Sequence, residues 1–472
     1  GPKSRPHLFS PCTFCRNVEA GRLTLRAGTS GVKEIGDSVE HPSMHGMGAE
    51  TLAEALISTE NGIVRGIYMG GTRRCLLHAR SLVLGVLLGV GSLAAQSKPQ
   101  APSTAPYYQP AGQWERRAPE SVAMDAELVE SAIAFAKSME STAPRDLLAE
   151  HWAGPYAREP LPDPLGPFKS RGEMTGIILR HGYLVAEWGE PERVDLTFSI
   201  TKSFLSSTVG VAWDRKLIPD LHARVKDYVK TGEFDSEHNA KITWEHLLRQ
   251  TSDWEGTLWG KPDWADRPPA VPIEQYKKRV HAEPGTTYKY SDVRVNLLAY
   301  AALMVWRRPL PEVLKQYLMD PIGASNTWVW HGYNNSWVEI GGKRMQSVSG
   351  GAHWGGGLWI SARDLARFGL LTLRRGKWKN RQILSEAWIA QALTPTKPEP
   401  TYGFMNYFLN SRGADGQRPW PGATPSTFCH IGNGMNAVCV IPEYDLVVVA
   451  RWIRDEALDG FLQRVIAASK DQ

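Results

Sequence analysis

Apolar residues recur along this chain at three different periods, and the change of period marks out its parts. Residues 1–68 show no sustained period at all. Ser81–Val90 is a continuous apolar run, too short for a comfortable membrane span, which needs about 20 residues. From residue 125 the text becomes periodic. Asp125 is placed to cap a helix over Ala126–Met139, with Leu128, Ile133, Phe135 and Ala136 as its apolar members. Met174–Leu179 and Tyr183–Trp188 flank His181-Gly182, the pattern of a two-stranded hairpin whose turn holds His181. Phe204, Leu205, Val209, Val211 and Trp213 then continue from Ser199 as a buried helix. Thr243–Leu248 reads as a short capped helix, and a long loop with Trp254, Trp259 and Trp264 follows it. Loops of that length are often functional, so this one is either a pocket wall or a cover over the core. Strands return at the end: Thr427–Ile431 and Asn436–Ile441 flank an Asn433-Gly434 turn, and Leu446–Ile453 is β-branched. Glu456–Ala468 closes the chain as a helix. The pattern predicts an α+β fold. One antiparallel sheet is built from both chain ends and flanked by helices, with a mainly helical middle block beside it.

Composition changes the picture at the front. The net charge of +5 divides into +3 over residues 1–95 and +2 over the rest, and all 18 Trp lie beyond residue 113. A nearly neutral main body excludes a nucleic-acid surface, which needs a dense basic patch. Met69 to Ala95 has the three parts of a secretory signal peptide: basic Arg73-Arg74, the apolar run, and small residues at Ser92-Leu93-Ala94-Ala95. Thr72-Arg73-Arg74-Cys75-Leu76-Leu77 also carries a twin-arginine hint, and an uncleaved anchor is the competing reading. The expected layout is an upstream extension (1–68), a signal peptide (69–95), a Pro-, Ala-, Ser- and Gln-rich arm (96–120) and one domain (121–472). Export to the periplasm or the medium is expected, with no stable membrane span after cleavage. Cys12-Thr13-Phe14-Cys15 has metal or redox spacing but no second pair beside it. Beyond the signal only Cys429 and Cys439 remain, on the two arms of one hairpin; a bridge is open to them, and packing is the default.

Candidate chemistry begins at Ser199-Ile200-Thr201-Lys202. Residues three apart at a helix start share a face, which sets an amine beside a hydroxyl. Such an amine takes the hydroxyl proton if burial or neighbouring positive charge lowers its pKa. Ser30-Gly31-Val32-Lys33 spells the same pattern without a helix start, so four residues do not decide the matter. Two further stretches do. Pro284-Gly285-Thr286-Thr287-Tyr288-Lys289-Tyr290-Ser291-Asp292 and Cys429-His430-Ile431-Gly432-Asn433-Gly434 follow it in order.

Together these three stretches resemble the motifs of the serine β-lactamase and penicillin-binding-protein superfamily. The resemblance is to its class C-like branch, which includes family VIII carboxylesterases, and it spans residues 120–470. It implies Ser199 as nucleophile, Lys202 and Tyr290 as proton carriers, and the backbone N–H groups of Ser199 and Asn433 as an oxyanion hole beside Gly432. It implies that His430 lines the site and polarises the Tyr290 region, and that no metal or organic cofactor is needed. The substrate class implied is a small ester or amide. Asp292 departs from the family's Asn: an ionised carboxylate strengthens the charge on Lys202 and moves the base role toward Tyr290, which then needs positive charge to ionise. Gly355–Phe368 and Leu247–Ser252 also resemble family segments and are expected to be structural, Gln250 and Asp253 departing from the usual His and Gly. The favoured expectation is an esterase. The alternatives are a D-amino-acid peptidase, an amide-oligomer hydrolase or a β-lactamase, and, from another class, an inactive homologue that binds acyl compounds or cell-wall peptide.

Overall fold

Asp125 accepts a hydrogen bond from the Leu128 N–H and so starts α1 (Ala126–Ser138), as its sequence predicts. This computed structural model describes residues 106–469, so the signal peptide, the upstream extension, Cys12, Cys15, Ser30 and Lys33 lie outside the described residues. The buried stripe of α1 is Val129, Ala132 and Ala136. Leu128 falls off that stripe and is 44% exposed, contrary to expectation. The hairpin β1 (Thr175–Arg180) and β2 (Tyr183–Trp188) forms where alternation placed it, with His181 in the turn at φ +53° and its ring 3.1 Å from Asp445. A two-residue strand, β3 (Asp195–Leu196), then leads into α2 (Ile200–Asp214), and Thr243 caps α3 (Trp244–Leu248).

The middle of the chain differs from expectation. The helix α4 (Asp292–Trp306) is buried on nearly every side, but β4 (Val329–Ile340), β5 (Lys343–Val348) and β6 (Gly357–Ile360) follow it. With β3 they make a four-stranded sheet in the order β3-β6-β4-β5. Asn334-Asn335 and a register shift between Gly332 and Trp337 interrupt the alternation of β4, which hid it from a periodic reading. Gly341-Gly342, between two apolar runs, was the available hairpin signal. The tryptophan loop is a cover: Trp254 is a core residue, Trp259 sits edge-on to Tyr300, and Trp264 is half-buried beneath Lys277.

After α5 (Ala362–Leu373), the strands β7 (Tyr407–Phe408), β8 (Phe428–Gly432), β9 (Asn436–Ile441) and β10 (Leu446–Arg451) complete the main sheet before α6 (Leu458–Ala468). Its order is β7-β8-β9-β10-β1-β2, all antiparallel, so the first strand pair docks on the last strand as the two-ended sheet requires. Cys429 and Cys439 face each other across β8 and β9 and form a disulfide, rather than serving as separate packing residues. The Gly355–Phe368 segment is structural. Arg363 pairs with Glu187, Asp364 receives the Ser325 hydroxyl, and Arg367 binds four backbone carbonyls, three of them in the arm at Gln109, Pro110 and Gln113. No helix among the described residues is long and apolar enough to cross a membrane.

Candidate active site

Phe198, two residues before α2, takes the left-handed conformation at φ +48°, which costs a side chain other than glycine about 1–3 kcal/mol. Packing against Trp452 holds it there, and the turn it makes delivers Ser199 as the cap of α2 in helical conformation, with no side-chain capping bond. The Ser199 hydroxyl is therefore free of the structural task a capping serine usually performs. Its position at a helix N-terminus favours negative charge developing there. One turn on, Lys202 donates to it: Nζ lies 2.7 Å from Ser199 Oγ, and both residues are buried.

Asp292 opens α4, where a carboxylate suits the helix dipole. Its Oδ1 is 2.9 Å from Lys202 Nζ and its Oδ2 is 2.9 Å from Arg267 Nη1. Arg267 also pairs with Asp266, which in turn accepts the Asp292 backbone N–H. Burial pushes the Lys202 amine down from its ordinary range, Asp292 pulls it back up, Arg267 pushes it down again, and the net direction is down. Burial works against an ionised Asp292, but Lys202 and then Arg267 outweigh it and hold the carboxyl well below the usual carboxylate range. Gly351 closes over the pair. A Cβ at that position would overlap both Asp292 Oδ1 and Lys202 Nζ.

Tyr290 joins this group: Lys202 Nζ lies 4.7 Å and Arg267 Cζ 5.1 Å from its ring centre. Gln250 fixes the segment by accepting the Ser291 N–H at 2.6 Å while donating to Tyr402 Oη at 2.9 Å, which gives that departure from the family pattern its structural role. The Tyr290 hydroxyl is buried near the Ser199 and Tyr407 hydroxyls without a well-formed hydrogen bond to either. Burial pushes this phenol well above its usual range and Asp292 adds to the effect; Arg267 and Ser199 oppose it but do not reverse it. The surroundings of Tyr290 run against the expectation that Asp292 moves the base role to it. The same carboxylate that steadies a charge on Lys202 disfavours the phenolate, which favours the protonated Tyr290 hydroxyl.

Gly432, at the end of β8, abuts the turn that carries Ser199: a Cβ there would sit 2.9 Å from Ser199 N and against Thr197 O. Only glycine lets the strand approach so closely. Asn433 follows in the turn, and its side chain donates to Glu150 at 3.4 Å. His430 is placed differently from expectation. Its Nδ1 lies 2.9 Å from Ser203 Oγ, and because that hydroxyl donates to Met405 O at 2.6 Å, Nδ1 must carry the proton. The ring packs on Phe368 and Phe428, its Nε2 has no partner, and burial lowers its pKa to about 3. It faces Ser203 and makes no hydrogen bond to Ser199, Lys202 or Tyr290.

Thus Ser199, Lys202, Tyr290, Asp292 and Gly432 converge, with Asn433 in the adjoining turn. Arg267, Asp266 and Gly351 join them without having been foreseen. Glu159, Asp266 and His353 are a set of three donor residues nearby. One donor atom of each lies within 4.8 Å of the other two, and Glu159 and Asp266 stand 2.7 and 3.8 Å from opposite ring nitrogens of His353, behind the Asp266–Arg267 pair. The beta-lactamase family profile matches residues 177–456, more than half of the chain and every converging residue from Ser199 to Asn433.

The chain belongs to the beta-lactamase family. No curated protein matches it. Solved structures similar to this beta-lactamase-family chain include a class C beta lactamase from Rhodobacter sphaeroides, 15% identical, covering 72% of this chain and 99% of that one, with a TM-score of 0.45. The octameric penicillin-binding protein homologue from Pyrococcus abyssi is 17% identical, with coverages of 73% and 78% and a TM-score of 0.45. A family VIII carboxylesterase is 16% identical, with coverages of 63% and 91% and a TM-score of 0.44.

Proposed function

We propose that this protein is a serine hydrolase that cleaves a small carboxylic ester through an acyl-enzyme. The observation that carries the reading is the buried 2.7 Å contact from Lys202 Nζ to Ser199 Oγ, with the amine pushed toward its neutral form. In the first step Ser199 Oγ attacks the ester carbonyl while its proton passes to Lys202. The oxyanion rests on the Ser199 and Asn433 backbone N–H groups, where the closeness of Gly432 to the nucleophile turn supports a shared site. Collapse expels the alkoxide, which takes the proton from Lys202 by way of Tyr290. Water then repeats the sequence, attacking the acyl carbon, yielding its proton to Lys202 and releasing the acid and Ser199.

The His430-Ile431-Gly432 form of the third motif supports an ester over a β-lactam. The catalytic unit is residues 121–472, preceded by a linker (96–120) and a signal peptide (69–95), with the mature protein periplasmic or secreted. The Cys429–Cys439 bridge supports an oxidising compartment. Turnover of p-nitrophenyl acetate and butyrate, measured against a chromogenic cephalosporin and a D-alanyl amide, tests the assignment. Ester hydrolysis is expected, and it should vanish in Ser199→Ala. Rapid cephalosporin or amide turnover without ester hydrolysis would overturn the substrate class. No turnover and no acylation by any of them would favour the acyl- or peptide-binding homologue.

A further inference from the structure

A carboxylate 2.9 Å from the general base is an awkward neighbour, since it stabilises the protonated amine that cannot accept the serine proton. We propose that Arg267 is the positioning residue that makes Asp292 compatible with a lysine base: it shares the carboxylate with Lys202, one oxygen each, and so offsets the charge that would otherwise keep the amine protonated. This rests on the reading of Ser199 and Lys202 as nucleophile and base.

Three observations carry it. The two contacts to Asp292 are equal, 2.9 Å from Lys202 to Oδ1 and 2.9 Å from Arg267 to Oδ2, so the carboxylate is shared between the amine and the guanidinium. Arg267 is itself fixed by Asp266, whose other oxygen receives the Asp292 backbone N–H. The guanidinium thus cannot drift away without breaking a buried set of bonds. Finally, the backbone of Arg267 takes φ +45°, a conformation unfavourable to long side chains, so it is held in place by its surroundings rather than by local preference.

The charged and titratable groups around Lys202 come from several elements. Asp292 is on α4, Tyr290 lies just before it, Asp266 and Arg267 are on the preceding loop, and Ser199 is on the lysine's own helix. Behind Asp266 stand His353 and then Glu159. Of the cations, Arg267 alone stays charged at every pH that the enzyme meets while touching Asp292 directly. Its effect on Lys202 therefore has one sign: it lowers the affinity of the amine for a proton, directly by repulsion and indirectly through Asp292.

The test is the pH dependence of Ser199 acylation by a fluorophosphonate probe in the wild type, Arg267→Gln, Arg267→Lys, Asp292→Asn and Arg267→Gln/Asp292→Asn. Circular dichroism would check that each is folded. The acidic limb marks the pH at which the base loses its proton. It should move up by about one unit in Arg267→Gln, stay near the wild-type position in Arg267→Lys, move down in Asp292→Asn and return toward wild type in the double variant. At neutral pH the Arg267→Gln rate should be about tenfold lower and should recover as the pH is raised. If Arg267→Gln does not fold, the same comparison is read between Asp292→Asn and the double variant, where loss of the arginine must raise the limb. An Arg267→Gln limb that does not move, or that Asp292→Asn does not bring back, overturns the proposal. A wild type that the probe never labels at Ser199 overturns instead the enzymatic reading beneath it.

Discussion

Two stretches of one helix face, a single turn apart, are built from opposite materials. Around Ser199 and Lys202 the surroundings are charged and interlocked: Asp292, Arg267 and Asp266 each have a partner of opposite sign. Around Ser203 the surroundings are apolar. Here Phe368, Trp388, Phe404 and His430 line a cavity of about 30 Å³, room for about two waters. Two buried polar atoms there, His430 Nε2 and Asn406 Oδ1, have no protein partner. Both stretches contain residues of the family motifs, yet only the first sets a serine hydroxyl, a buried amine and a carboxylate shared with an arginine together. A motif residue acquires its role from the dielectric and the charges around it.

The sharpest way to break this contrast is to remove one motif residue from each stretch. Lys202→Met should lower the acylation rate by about 10³-fold, leaving a folded protein, because the serine loses its base. His430→Phe should leave that rate within about tenfold of wild type; a loss matching that of Lys202→Met would return His430 to the chemistry. Gly351→Ala comes next. Its Cβ must displace Lys202 or Asp292, and a misplacement of about 1 Å there should cost about 10²-fold in rate with the Ser199 peptide still in place. An unchanged rate would mean that the pair tolerates movement, against the account of its geometry.

The third contrast is in stability against pH. His430 has a folded-state pKa of about 3, below that of the unfolded chain at about 6.5. The unfolded state therefore binds the extra proton first. The stability present above pH about 6.5 is lost as pH falls toward 3, at up to about 1.4 kcal/mol per unit. His430→Phe should flatten this part of a urea-denaturation profile, and an identical slope in the variant would contradict burial of a neutral imidazole. The smallest effect is expected of Ser203→Ala. It removes the acceptor of His430 Nδ1–H and should cost about 1–3 kcal/mol of stability, visible as a lower melting temperature, with rates changed less than about threefold.

Much of this was legible in the sequence, where local signals carry it. Alternation located the β1–β2 and β8–β9 hairpins, Asp125 and Thr243 announced their helices, and three motifs in order brought Ser199, Lys202, Tyr290 and Gly432 together. Arg267 was not legible. It lies 25 residues before Asp292 in an irregular loop, and the pairing of two charges across such a distance leaves no period to read. His430 was legible in direction but not in depth. It shares a strand face with Gly432, yet two strand residues span about 6.7 Å and four helix residues about 6 Å. With Gly432 against Ser199, that arithmetic sets His430 opposite Ser203, one turn below Ser199. The sheet holding β4 and β5 stayed hidden because the irregular register of β4 broke the alternation.

The central claim is that Ser199 is the acylated residue and Lys202 its base. Intact-protein and peptide mass spectrometry after brief exposure to a fluorophosphonate tests it most directly. One adduct should form, on the peptide bearing Ser199, at a rate that rises with pH in the wild type and is low and nearly independent of pH in Lys202→Met. An adduct on Ser203 or elsewhere, or Lys202→Met labelling as fast as wild type, would contradict the account.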